Sequence, residues 1–269
     1  MTDSNSTTGQ TPDPYACEQA QPLPTGLLAS YPWLTFLLPF IVYMLVQMLE
    51  PTPGAGGSTS LLGFTIQYEH YPLVYSAKIA LTILAMLFVW PGYRTFPFRI
   101  NPLSIVVGVV GVVVWIALCG LQLEAKLLTL VRLDWLVDLG ERSAFNPLEY
   151  LAANPAWAYG FLAIRFLGLA LVVPIIEEFF LRGFLMRMMT SVNWWKKPFG
   201  QVDTAAIVAG TVVPMLMHPG ELLAAMVWFS AVTWLMIRTR NIWDCVAAHL
   251  VTNLLLGIYV VTTGHWELW

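Results

Sequence analysis

The chain has 269 residues, of which 58% are hydrophobic and 11% charged, and its mean hydropathy is +0.68. So few charges, against about 25% in soluble domains, exclude an ordinary soluble enzyme, and disorder would require the reverse balance. The net charge of −3 offers no basic surface to nucleic acid. Twelve Trp and ten Tyr suit a protein that meets two membrane–water interfaces.

Residues 1–26 form a polar tail rich in Ser, Thr, Gln and Pro. With no basic n-region and no small-residue cleavage site, it reads as disordered and not as a signal peptide. Residues 27–269 read as a single transmembrane domain. Apolar runs predict spans at 27–49, 73–90 and 103–123. Residues 124–152 mix eight charged side chains with leucines and Trp135, the pattern of an amphipathic interfacial helix. A fourth span begins near Trp157 and is apolar to Ile176, with its pattern continuing to about Met189. After a loop at 191–203, spans five (204–218) and six (221–237) are joined through His218-Pro219-Gly220, and a seventh covers 243–262. The expected fold is therefore all-α: a polytopic transmembrane helical bundle of about seven or eight spans with one amphipathic interfacial helix.

Lys and Arg are unevenly shared between the two sides of such a bundle. The loops after spans two, four and six carry seven: Arg94, Arg99, Arg187, Lys196, Lys197, Arg238 and Arg240. The other side carries Lys126, Arg132 and Arg142. The positive-inside rule then places the N-terminus in the cytoplasm and the C-terminus outside. Cys17, Cys119 and Cys245 are odd in number and scattered, so they make neither a disulfide framework nor a CxxC metal site. Trp266 and Trp269 read as interfacial anchors.

Charged groups inside apolar spans mark function by default because they are costly there. Here they cluster. The fourth span ends in Pro174-Ile175-Ile176-Glu177-Glu178-Phe179-Phe180-Leu181-Arg182-Gly183. Glu178 and Arg182 are four residues apart, stack on one helix face and can pair. Glu177 points about 100° away and can face a cavity, where poor solvation suits a general base. His218 closes the fifth span. His249 and Asn253, again four apart, share a face of the seventh and offer neutral donors of the kind that stabilise an oxyanion. Singly, each has a structural reading: an ion pair locking helices, a turn-capping histidine, interhelical hydrogen-bond glue. Together they form an acid–base set.

This constellation resembles the CPBP intramembrane proteases, which include the type II CAAX prenyl endopeptidases and bacteriocin-processing or self-immunity proteins. The likeness covers a core at about 157–262. It rests on Glu177-Glu178-x-x-x-Arg182 followed by Gly183-Phe184-Leu185, on a histidine closing an apolar run, and on Arg240-Asn241-Ile242-Trp243 leading to His249-x-x-x-Asn253. The second motif departs from the family's F-x-x-x-H, since Pro214 stands where Phe is expected. Tyr31-Pro32-Trp33 through Pro39-Phe40, and the ending Asn253 to Trp269, further resemble CAAX-protease-related proteins that accompany exosortase and PEP-CTERM sorting. The resemblance implies a bacterial inner-membrane endopeptidase acting on a membrane-anchored peptide or protein, prenylated or carrying a sorting signal, with surface-protein sorting machinery as a partner.

For catalysis the resemblance implies that Glu177 and His218 position and deprotonate a water. His249 and Asn253 hold the oxyanion, and Glu178 and Arg182 fix the helix and tune the base. No metal is obligatory in that scheme, although Glu177, His218 and His249 could satisfy zinc. Glu177 lies deep in span four whereas His218 ends span five. Their depths agree only if span four is long and tilted and span five short, which predicts a water-filled mid-membrane cavity lined by spans four, five and seven. Two other readings remain open. A catalytically silent scaffold of the same family would not need the base and the oxyanion donors together. A proton-coupled transporter is disfavoured by spans one to three, which lack carboxylates, and proton flux in liposomes would discriminate it.

Overall fold

The structure, a computed structural model, describes residues 22, 24–51, 58–61, 64–121, 123–130, 132 and 144–269. Among the described residues, seven apolar helices carry the fold: α1 (Trp33–Gln47), α2 (Tyr71–Tyr93), α3 (Pro102–Leu121), α5 (Pro155–Thr190), α6 (Thr204–Leu216), α7 (Leu222–Thr239) and α8 (Ile242–Thr263). A shorter helix, α4 (Leu123–Leu130), follows α3. Five of the seven are long and apolar enough to cross a membrane, while α1 and α6 are shorter apolar helices. The chain is a polytopic helical membrane bundle, as its composition predicts.

Each expected span meets one of these helices, and the differences are local. The first apolar run is split. Leu27–Ser30 forms a separate turn, and α1 begins only after Pro32, because the residue before a proline is pushed out of the helical region. The fourth span is one helical run of 36 residues, the fifth only 13, the asymmetry that the depth of Glu177 and His218 requires. Between α1 and α2 a short antiparallel hairpin, β1 (Ser58–Leu61) and β2 (Phe64–Gln67), lies in the stretch between the first two expected spans. Most of the polar tail, Cys17 included, and residues 133–143 of the expected interfacial helix lie outside the described residues. On either side of 133–143 that helix is represented by α4 and a single turn at Pro147–Tyr150.

Polar residues at the boundaries start these helices. The side chains of Asn154, Asp203 and Asn241 accept from Trp157, Ala206 and Trp243 backbone N–H groups at 3.2, 2.9 and 3.1 Å, capping α5, α6 and α8. Helix α8 stops at Gly264, whose φ of 81° most side chains avoid. The chain then folds back so that Trp266 and Trp269 are packed inside, 8% and 6% exposed. They are not presented to the interface as anchors. The ring of Trp269 lies 4.8 Å from that of Phe166 on α5.

The packing pins α5 and α8 at the centre. Thr252 donates to Gly108 O of α3 at 2.9 Å, and the absent side chain of Gly111 leaves room for the Trp228 ring of α7. On the other flank, Gly168 of α5 abuts Tyr75 and Ile79 of α2 with no room for a Cβ. Small residues let the helices approach to backbone distance, as membrane interiors favour.

Candidate active site

Helix α5 is not regular. Two π-helical segments, Leu167–Val172 and Phe179–Leu185, flank the turn that carries Glu177 and Glu178. The first has an identifiable cause. Val173 N–H bonds to Gly168 O, five residues back. The matching partner for Leu169 O would be the N–H of residue 174, which is proline and has none. Asn253 of α8 fills that place, with Nδ2 donating to Leu169 O at 2.8 Å. Asn253 therefore locks the widened turn in addition to facing the cavity, and the second hydrogen of its amide remains for other chemistry.

Glu178 is fully buried. Arg182 Nη1 donates to its Oε1 at 3.2 Å and lies 3.1 Å from Oε2. His249 Nδ1 stands 2.9 Å from the same Oε1. The Glu178–Arg182 pair is the local i, i+4 contact that the spacing predicts. The bond to His249 joins α5 to α8 across 71 residues of sequence, and no sequence pattern announces it. Arg182 Nη2 also donates to Phe229 O of α7 at 3.3 Å, so the carboxylate, guanidinium and imidazole tie three helices together.

The hydrogen bonds also set the imidazole tautomers. A carboxylate accepts, so Nδ1 of His249 carries the proton, and its Nε2 donates only when the ring is doubly protonated. His218 Nδ1 lies 2.8 Å from Pro214 O. A carbonyl only accepts, so this Nδ1 is protonated and Nε2 is the basic nitrogen of the neutral ring. The residue at 214 therefore serves His218 through its backbone carbonyl. Proline retains that carbonyl, and the absence of the family's phenylalanine leaves this contact intact. Phe229 stands between the imidazoles, its ring 5.4 Å from that of His218 and 6.4 Å from that of His249. Trp115 of α3 approaches His218 edge-on at 5.8 Å.

Glu177, His218, His249 and Asn253 all line one cavity of about 450 Å³. Glu178 and Arg182 lie behind its wall, where they hold His249. The wall extends beyond the expected spans four, five and seven, because α1, α2, α3 and α7 contribute Gln47, Lys78, Trp115 and Trp228. Sequence reading misses four of the charged groups here, one of them Glu50, just beyond α1. Glu221, 7% exposed, lines the cavity at the start of α7. Lys78 and Arg165, each 1% exposed, line it from α2 and α5. The available signal was the rule that any charge within an apolar run is suspect.

Among the described residues, no group of three or more His, Cys, Asp and Glu is placed to hold a metal ion. Glu177, His218 and His249 thus share the cavity without forming the cluster that zinc would need.

Residues 159–255 match the family model of the Type II CAAX prenyl endopeptidase Rce1-like proteins. The match supports a CPBP/CAAX protease family. The matched segment contains Glu177, Glu178, Arg182, His218, His249 and Asn253, whereas Lys78, Glu50 and Trp269 line the cavity from outside it. No curated protein and no solved structure matches the chain.

Proposed function

We propose that the protein is an intramembrane endopeptidase. One observation carries the reading: a carboxylate, two imidazoles and an amide from widely separated segments line the same cavity in a membrane bundle. Glu177 takes a proton from water while His218 Nε2 orients it, and the water oxygen attacks the scissile carbonyl carbon. Asn253, together with His249 when that ring is protonated, holds the oxyanion. Collapse of the tetrahedral intermediate breaks the C–N bond, and the proton held by Glu177 passes to the leaving amine. Glu178 and Arg182 act as positioning residues that orient His249. The substrate is a membrane-anchored peptide or protein, either prenylated or bearing a sorting signal of the exosortase-associated kind. The Lys and Arg distribution supports a cytoplasmic N-terminus, and the likeness to exosortase-associated proteins supports a bacterial inner membrane.

The test is cleavage of membrane-tethered peptides, prenylated and unprenylated, by purified protein in detergent, read by mass spectrometry with and without chelator. Glu177→Gln is expected to reduce the rate by about 10² to 10⁴, the usual contribution of a general base, with the fold unchanged. Full activity in Glu177→Gln would remove the base from the mechanism. Activity lost to chelator would restore a metal. A folded wild-type protein that cleaves nothing across the library would favour the silent scaffold.

A further inference from the structure

The cavity occupies one half of the bundle. At the other face the connections after α2, α5 and α7 meet. Asn241 Nδ2 donates to Arg99 O at 2.7 Å, Trp243 Nε1 donates to Phe96 O at 3.1 Å, and the rings of Phe96 and Phe199 are 5.9 Å apart. With the last turns of α5 and α7, these connections hold the seven Lys and Arg that the positive-inside rule assigns to the cytoplasm. Among the described residues, none that lines the cavity comes from these connections. The lining comes from the opposite ends: the last turn of α1, the first turns of α2, the turn between α6 and α7, and the segment after α8.

Two of those ends belong to short helices. With 15 and 13 residues, α1 and α6 reach about 22 and 20 Å at 1.5 Å per residue, against about 30 Å of hydrocarbon. Both meet the cavity at their C-terminal ends, and there its wall reaches the surface, since Met44 and Gln47 are exposed. Glu50, Lys78 and Glu221 make this end polar.

The path from Glu177 toward the Lys/Arg-rich face is closed. Phe179, one turn further along α5, is fully buried. The rings of Tyr93, Phe96 and Trp243 lie 4.1, 5.4 and 5.5 Å from its ring, and all three are buried. Water enters where polar groups can bind it and stays out of packed apolar interiors. The polar end therefore hydrates Glu177, and the aromatic floor seals it from below.

We infer that this cavity is entered from the face opposite the Lys/Arg-rich connections, the extracytoplasmic face, so that its substrate is a membrane-proximal peptide segment of a chain already translocated across the membrane. The inference rests on the peptidase reading and assigns its substrate a side of the membrane. A scissile bond presented from the cytoplasm would have to pass the aromatic floor to reach Glu177.

Thiol labelling tests the opening apart from cleavage. The full chain, carrying Cys17→Ser, Cys119→Ala and Cys245→Ala, is placed in right-side-out and inside-out bacterial membrane vesicles. Single cysteines are then introduced: Leu169→Cys, about two turns from Glu177 within the cavity, Met217→Cys as a second cavity position, and Lys196→Cys to mark the Lys/Arg-rich face. A charged methanethiosulfonate, which does not cross the bilayer and needs water to react, is added outside. Leu169→Cys and Met217→Cys are expected to react at least tenfold faster in right-side-out vesicles, and Lys196→Cys at least tenfold faster in inside-out ones. Thermal melts control for folding, and Met217→Cys decides if Leu169→Cys does not fold. Cavity cysteines that react from the same side as Lys196→Cys, or from neither side, overturn the one-sided opening. Opposite sides with Lys196→Cys facing outward overturn the extracytoplasmic substrate. In the second arm, membrane-tethered peptides added outside should be cleaved at least tenfold faster by right-side-out vesicles, and faster cleavage by inside-out vesicles overturns the inference. Outward labelling of the cavity without cleavage of any peptide would overturn the peptidase reading, and its substrate with it, and leave the opening standing.

Discussion

The two buried ion pairs lining or backing this cavity are built in opposite ways. Glu178 and Arg182 belong to one helix, four residues apart, and both side chains are fully buried. Glu50 and Lys78 come from different segments, the lysine on α2 and the glutamate just beyond α1, and the glutamate side chain keeps 14% of its exposure. The first pair is fixed by helix geometry before any packing occurs and then recruits His249. The second exists only because α1 and α2 pack side by side, with Lys78 also lying 4.2 Å over the Tyr43 ring. The contrast separates a device that positions chemistry from one that joins helices. A locally paired carboxylate can be handed on to a third group, whereas a pair assembled between segments is consumed in holding them together.

Mutations can break or sharpen this contrast. The largest effect is expected from Arg182→Ala. It strands the Glu178 carboxylate in a fully buried site and should cost about 3–5 kcal/mol, read as a large fall in the thermal midpoint in detergent. Lys78→Met strands Glu50 beside a cavity instead. That loss should be visibly smaller, and an equal loss would contradict the distinction drawn between the pairs.

Asn253→Leu comes next. It removes the donor to Leu169 O and should destabilise by about 1–3 kcal/mol, the penalty for a buried carbonyl left without a partner. Its signature is local: faster amide exchange around residues 167–173 than around 179–185. A uniform change along α5 would show that Asn253 does not lock the first π segment.

The smallest effect is expected from the double change Glu50→Gln with Lys78→Met, which removes both charges together. Its stability should lie within about 1–2 kcal/mol of wild type, because replacing both members of a buried pair is often near neutral. A loss equal to that of Lys78→Met alone would mean that the ion pair contributes more than charge matching.

Much of the architecture is legible in the sequence because a bilayer imposes length and polarity on each span. Apolar run length located the seven helices, and the same rule set apart the long α5 and the short α6. The pairing of Glu178 with Arg182, and the shared face of His249 and Asn253, followed from a helical repeat of 3.6 residues, which acts over a few residues and needs no knowledge of the fold. Only the tertiary structure could bring Glu178 to His249, Asn253 to Leu169 O and Glu50 to Lys78, since each contact joins segments with no periodic relation. The π segment illustrates the division. Pro174 is visible in the sequence, but which carbonyl loses its partner depends on how the turn widens, and which side chain fills the place depends on α8 lying alongside. Likewise, the sequence could mark Arg165 as a charge within an apolar run. Only packing could show that it meets the main-chain oxygens of Phe145 and Trp269 and the rings of Tyr71 and Trp269, because burial and the choice of partner are properties of neighbours that the chain does not list in order.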